Sequence, residues 1–113
     1  MKKFVCHIDT LRDHETYGFQ IDLGNEELDI IVLRQGKEIR AWLNHCPHLG
    51  IPLNWQPNEF LSLEGTHIQC STHGALFTLE EGYCIAGPCR GQSLTALQTE
   101  VDTDGNLYLL SQQ

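Results

Sequence analysis

Two short motifs restrict this chain more than any other feature. Cys46-Pro47-His48, followed by Leu49-Gly50, and Cys70-Ser71-Thr72-His73, followed by Gly74, each offer one thiolate and one imidazole, and 21 residues separate His48 from Cys70. A fold that uses both motifs must bring two tight loops to one point. The glycines permit backbone conformations that other residues resist, so each loop can wrap closely around a bound group. Residues 44–92 also hold four of the five cysteines, all four prolines and six of the ten glycines. Loops of that composition need something other than strand pairing to fix them, and a metal centre would do so.

The flanks read differently. Tyr17 to Leu23 alternates, with Phe19, Ile21 and Leu23 on one face. Leu28 to Arg34 is almost continuously apolar, and after a turn at Gln35-Gly36 the segment Glu38 to Leu43 alternates again, which predicts a hairpin. Leu97 to Val101 and Leu107 to Leu110 flank Asp104-Gly105-Asn106, which predicts a second. Leu11 to Tyr17 is expected to form a brief helical turn, and no segment sustains an apolar period of 3.6 residues. The expected fold is all-β: an antiparallel β-sandwich base, with a distinct middle inserted at about 44–92.

A chain of 113 residues supports a single domain, taken as 1–113. Asp and Glu number 15 against 7 Lys and Arg, for a formal charge of −8. That balance argues against nucleic acid, whose phosphates need clustered cations, and against anionic membrane surfaces. It favours encounter with a basic protein surface. Cys6, His7, Asp9 and Arg12 interrupt any signal-like run after Met1, and no apolar stretch is long enough to span a bilayer. A cytoplasmic location follows as an expectation. There thiols stay reduced, so five cysteines read as metal ligands or buried thiols before they read as a disulfide framework.

Two thiolates and two imidazoles from paired loops suit a particular cofactor. A [2Fe–2S] cluster normally takes four thiolates, and histidines in place of two of them on one iron make a Rieske centre of raised potential. Cys46, His48, Cys70 and His73 supply that set once. Zinc also accepts two Cys and two His, which leaves a zinc-stabilised binding module as an alternative. The C-x-H half-site and the absence of a following helix fit zinc-finger spacing poorly.

With N-H-C-P-H-L-G at 44–50 and Q-C-S-T-H-G-A-L-F at 69–77, the chain resembles the Rieske family. The likeness is to the form found in small soluble ferredoxins of oxygenase systems and in nitrite-reductase small subunits. It implies one [2Fe–2S] cluster per chain, held by Cys46, His48, Cys70 and His73. It implies an all-β Rieske-type fold with a small cluster-binding subdomain inserted into a larger antiparallel base. Gly87-Pro88 resembles the family's proline loop, which covers the cluster from a third side. The implied function is one-electron transfer from a reductase to a terminal oxygenase or similar redox protein, without catalysis by the chain itself. The alternative within the family is a small subunit of a nitrite-reductase-like complex.

Four positions depart from the respiratory and photosynthetic members of the family. Ile51 and Thr72 stand where those members carry disulfide-forming cysteines, and Ala75 and Phe77 stand where they carry the Ser and Tyr hydroxyls that hydrogen-bond cluster sulfurs. Such bonds favour the more negative, reduced cluster, so their loss predicts a potential toward the lower end of the roughly −150 to +300 mV Rieske range. Cys84 and Cys89 flank the proline loop and read first as small buried residues, with a labile disulfide as the other possibility. Cys6 reads as a plain strand residue, and His45 as a solvent-facing loop residue. His7, His14 and His67 read as structural or surface residues, Trp42 and Trp55 as packing, and Glu80-Glu81 as a solvated turn. Trp55 to Phe60 is expected to form an extra surface loop.

Overall fold

The structure is a computed structural model, and it describes all residues except 1, 23, 25–26, 46–52, 54–59, 63–64, 71–73, 88–89 and 111–113. Among the described residues ten strands follow in order: β1 Lys2–His7, β2 Glu15–Asp22, β3 Glu27–Gln35, β4 Glu38–Leu43, β5 His67–Gln69, β6 Leu76–Thr78, β7 Cys84–Ala86, β8 Ala96–Leu97, β9 Thr99–Val101 and β10 Asn106–Leu110. They form three antiparallel sheets, in the orders β1-β10-β9, β2-β3-β4-β8 and β5-β6-β7.

The hairpin expected around residue 36 is β3 and β4, with Gln35 opposite Glu38. The turn residues are therefore Gly36 and Lys37, one position later than the sequence reading, and Gly36 takes a φ of +62° that suits such a turn.

The apolar run in β3 has a clear physical cause. Side chains alternate across a strand, and this strand is buried on both faces. Ile31 and Leu33 join Trp42, Leu53, Phe60, Ile68, Cys70, Ala75, Phe77, Cys84 and Leu94 in one core. Ile30 and Val32 join Leu11, Ile21, Ala41, Leu97, Leu107 and Leu109 in the other. The four-stranded sheet is thus a partition. One face packs on the terminal sheet β1-β10-β9, and the other faces the sheet β5-β6-β7 inserted between β4 and β8.

Two expectations need correction. The helical turn is a 3₁₀ turn at Ile8–Thr10 and not at Leu11 to Tyr17, where β2 already begins at Glu15. His7 caps it, its Nδ1 accepting the Asp9 N–H at 3.1 Å, while the Tyr17 hydroxyl accepts the Arg12 N–H at 2.8 Å and holds the following residues out of a helix. The single strand expected at Leu97 to Val101 is two strands in two sheets, β8 against β4 and β9 against β10. Gln98 is the crossover, its carbonyl accepting the Leu110 N–H at 3.0 Å.

Candidate metal centre

Of the four expected ligands, Cys70 lies among the described residues, whereas Cys46, His48 and His73 lie outside them. Cys70 follows β5 directly, is fully buried and is not in a disulfide. Both its backbone groups are tied across the second motif. Its N–H donates to the Ala75 carbonyl at 2.9 Å, and its carbonyl accepts the Gly74 N–H at 2.9 Å. Gly74 has a φ of +68°, the left-handed conformation that the glycine after the motif makes available. The strand leading in is fixed as well, with the Gln69 N–H donating to the Phe60 carbonyl at 2.7 Å.

The first motif begins where β4 ends. The Leu43 N–H donates to the Thr95 carbonyl and the Asn44 N–H to the Asp29 carbonyl, each at 2.9 Å. The Asn44 side chain then reaches across the loop, its Oδ1 accepting the Leu53 N–H at 2.8 Å. Leu53, Cys70 and Ala75 belong to one buried cluster, so the described ends of both loops stand on a common floor. The sequence reading passed over Asn44. An Asn beside a loop motif, able to accept a backbone N–H, was the available signal.

A third segment closes on this floor. A Cβ built on Gly87 would stand 2.8 Å from Ala75 Cα and 2.9 Å from Ala75 Cβ, and the φ of Gly87 is +100°. Only a residue without a side chain lets the chain come so close. The Arg90 N–H donates to the Gly87 carbonyl at 3.2 Å and the Gly91 N–H to the Cys84 carbonyl at 3.1 Å. Pro88 and Cys89 lie outside the described residues. Cys84 is buried and its thiol donates to the Ala86 carbonyl at 3.1 Å, in keeping with a packing role.

Ala75 and Phe77 are both buried beside Cys70, so the two positions that carry hydroxyls in high-potential members present only carbon here. Ile51 and Thr72 lie outside the described residues, as do Leu49, Trp55 and most of the segment from Trp55 to Phe60, whose last residue is buried. Trp42 packs in the core, His45 is exposed, and Glu80 and Glu81 lie in an exposed turn, all as expected. Cys6 lies on β1 against the other core, where burial raises its thiol above the ordinary 9.0 despite the opposing hydrogen bond from Thr10. His7 does more than decorate the surface. With Nδ1 accepting from Asp9, its Nε2 carries the proton and donates to the Asp104 carbonyl at 2.7 Å. Among the described residues no three His, Cys, Asp or Glu side chains gather into another metal site, and no helix is long and apolar enough to cross a membrane.

The residues present fit a mixed-ligand iron–sulfur cluster: a buried, unoxidised thiol, two loops on one apolar floor, and a donor set of two thiols and two imidazoles in their motifs. Residues 1–104 match the family described as the Rieske [2Fe-2S] domain. The chain belongs to the Rieske family. Its cofactor is one [2Fe–2S] cluster, which displaces the zinc alternative.

Solved structures agree with the Rieske fold. The ferredoxin of carbazole 1,9a-dioxygenase from Nocardioides aromaticivorans IC177 superposes with a TM-score of 0.75 at 22% identity, covering 99% of each chain. A complex of reduced oxygenase and oxidised ferredoxin in carbazole 1,9a-dioxygenase gives 0.71 at 21% identity, over 96% of this chain and 91% of the matched one. The terminal oxygenase of carbazole 1,9a-dioxygenase from Novosphingobium sp. KA1 gives 0.77 at 16% identity, over 99% of this chain and 30% of that one. At these identities the likeness is one of fold. No curated protein sequence matches the chain.

Proposed function

We propose that this Rieske protein is a one-electron carrier that takes electrons from a reductase and delivers them to a terminal oxygenase. The observation that carries this reading is the mutual cover of this chain and a dioxygenase ferredoxin, 99% of each, in one fold. Cys46 and Cys70 would hold one iron, and His48 and His73 the other. When bound, the cluster supplies reversible one-electron chemistry. The chain's part is to hold, shield and present it. Cys70 anchors the second loop in the core, Gly87 lets a third segment close on Ala75, and the buried Ala75 and Phe77 withhold hydroxyl donors from the sulfurs. That last feature sets a low potential, suited to passing electrons onward.

The formal charge of −8 suits docking to a basic partner surface. In this reading the chain turns over no substrate, acts as a single domain over 1–113 and works in the cytoplasm, where Cys6 and Cys70 stay reduced. The test is spectroscopic and kinetic. Purified protein should contain two irons and two sulfides per chain, reduce by one electron, and reoxidise on mixing with a terminal oxygenase. A protein that loads the cluster yet exchanges no electrons with any such oxygenase would contradict the carrier reading.

A second reading rests on the fold filling 30% of a terminal oxygenase chain. Here the chain is the cluster-bearing part of a larger oxidoreductase, such as a nitrite-reductase-like complex. Stable co-purification with a large subunit separates the two.

A further inference from the structure

In the sequence, the first ligand motif falls between Asn44 and Leu53, two described residues joined by one side chain. At its start, Asn44 is held to β3 by its own N–H on the Asp29 carbonyl, and the preceding Leu43 is held by the Thr95 carbonyl next to β8. At its end, Leu53 is fully buried in the same core as Cys70 and Ala75. Asn44 Oδ1 spans nine positions to accept the Leu53 N–H at 2.8 Å. We infer that Asn44 is a positioning residue for the cluster, a clasp that sets the loop carrying Cys46 and His48 against the loop carrying Cys70 and His73.

A buried N–H that loses its acceptor must either stay unsatisfied or pull away from the core toward water. If Leu53 moves, the first loop shifts relative to Cys70, whose own backbone is pinned independently by Ala75 and Gly74. Among the described residues, backbone bonds close the second loop and the Asn44 side chain closes the first. Only an acceptor of the right reach can do this, so Asp should replace Asn here, while Ala should not. The inference rests on Cys46 and His48 being ligands, which the wild-type protein's own cluster content tests separately.

The experiment compares wild type, N44A, N44D and R34K, all loaded with cluster. R34K weakens a backbone anchor of the residue 8–11 segment, whose Leu11 packs in the other core, and so controls for general destabilisation. Cluster loss to an iron chelator is followed by bleaching of the visible absorption, and nitrogen hyperfine coupling of the reduced protein reports on the histidine ligands. Loss of this part-buried hydrogen bond corresponds to about tenfold easier opening, so N44A should lose iron about tenfold faster than wild type with altered nitrogen coupling. N44D should stay near the wild-type rate. N44A releasing iron no faster than R34K, or N44D as fast as N44A, would overturn the inference. If N44A does not load at all, N44D decides alone: full loading supports the clasp, and failure to load overturns it.

Discussion

Trp42 and Gly82 meet so closely that a Cβ built on the glycine would stand 2.6 Å from Trp42 Nε1 and 3.0 Å from Cδ1. Trp42 belongs to the partition sheet and Gly82 to the turn between β6 and β7, so this contact joins the base to the inserted sheet. Gly82 also has a φ of +68°. We predict that G82A lowers stability by about 2–4 kcal/mol, through the left-handed backbone and the overpacked indole together. Chemical denaturation of the loaded protein followed by tryptophan fluorescence checks this. An unchanged midpoint would mean that the turn shifts freely away from Trp42.

Restoring hydroxyls beside Cys70 should raise the reduction potential. A75S and F77Y each introduce a donor at a buried position, and a hydrogen bond to a charged acceptor is worth about 1.5–3 kcal/mol. For one electron, about 59 mV corresponds to a tenfold change in equilibrium, so each variant should rise by up to about 65–130 mV. A redox titration measures it. A fall in either variant would contradict the account of the low potential.

Much of this was legible in the sequence, and the reasons differ by element. The ligand motifs and the β3–β4 hairpin are local: a few adjacent residues specify them, although the turn at Gly36 and Lys37 falls one position later than the expected Gln35-Gly36. The double burial of β3 could be sensed only as an apolar run, because periodicity does not say which layers lie on each side. The division of 97–101 into β8 and β9 was invisible, since the crossover at Gln98 is set by two different partner sheets and not by the residues themselves. Asn44 escaped for the same reason: its partner is nine positions away, and only the closed loop makes it an acceptor.

Arg34 is the tie between the first connection and the partition sheet. Its Nη1 donates to the Ile8 and Leu11 carbonyls at 2.8 and 2.9 Å, and its Nε to the Gly36 carbonyl at 2.9 Å. Lysine keeps the charge and loses the fork. R34K should cost about 1–2 kcal/mol, with faster amide hydrogen exchange concentrated at Leu11, whose N–H donates to the Ile8 carbonyl within this segment. Exchange unchanged there would show that the 3₁₀ turn holds itself.

One exposed carboxylate, Asp13, and one half-buried carboxylate, Asp102, make the fold sensitive to acid. The Gly36 N–H, at 2.6 Å, lowers the Asp13 carboxyl below its ordinary 3.8, and the neighbouring His14 and Arg34 add to this against desolvation. The Asn106 N–H, at 2.9 Å, does the same first for Asp102, with Asn106 Nδ2 and the Asp104 N–H adding to it. A carboxylate lowered in the folded state stabilises fully above its unfolded value and loses that contribution as pH falls through the folded one. Stability should therefore hold down to about pH 4 and decline below it. D13N and D102N should each be less stable at neutral pH and decline less steeply in acid, as thermal melts across that range would show. Parallel curves for wild type and variants would refute the assignment.

We propose that Cys46, His48, Cys70 and His73 hold the [2Fe–2S] cluster with both imidazoles on one iron. Electron–nuclear double resonance on the dithionite-reduced protein, grown with ¹⁵N-histidine, tests it most directly. Coupling to two histidine nitrogens is expected, with the cluster signal lost in H48A and H73A. A reduced cluster with no histidine nitrogen coupling, or a colourless protein carrying stoichiometric zinc, would contradict it.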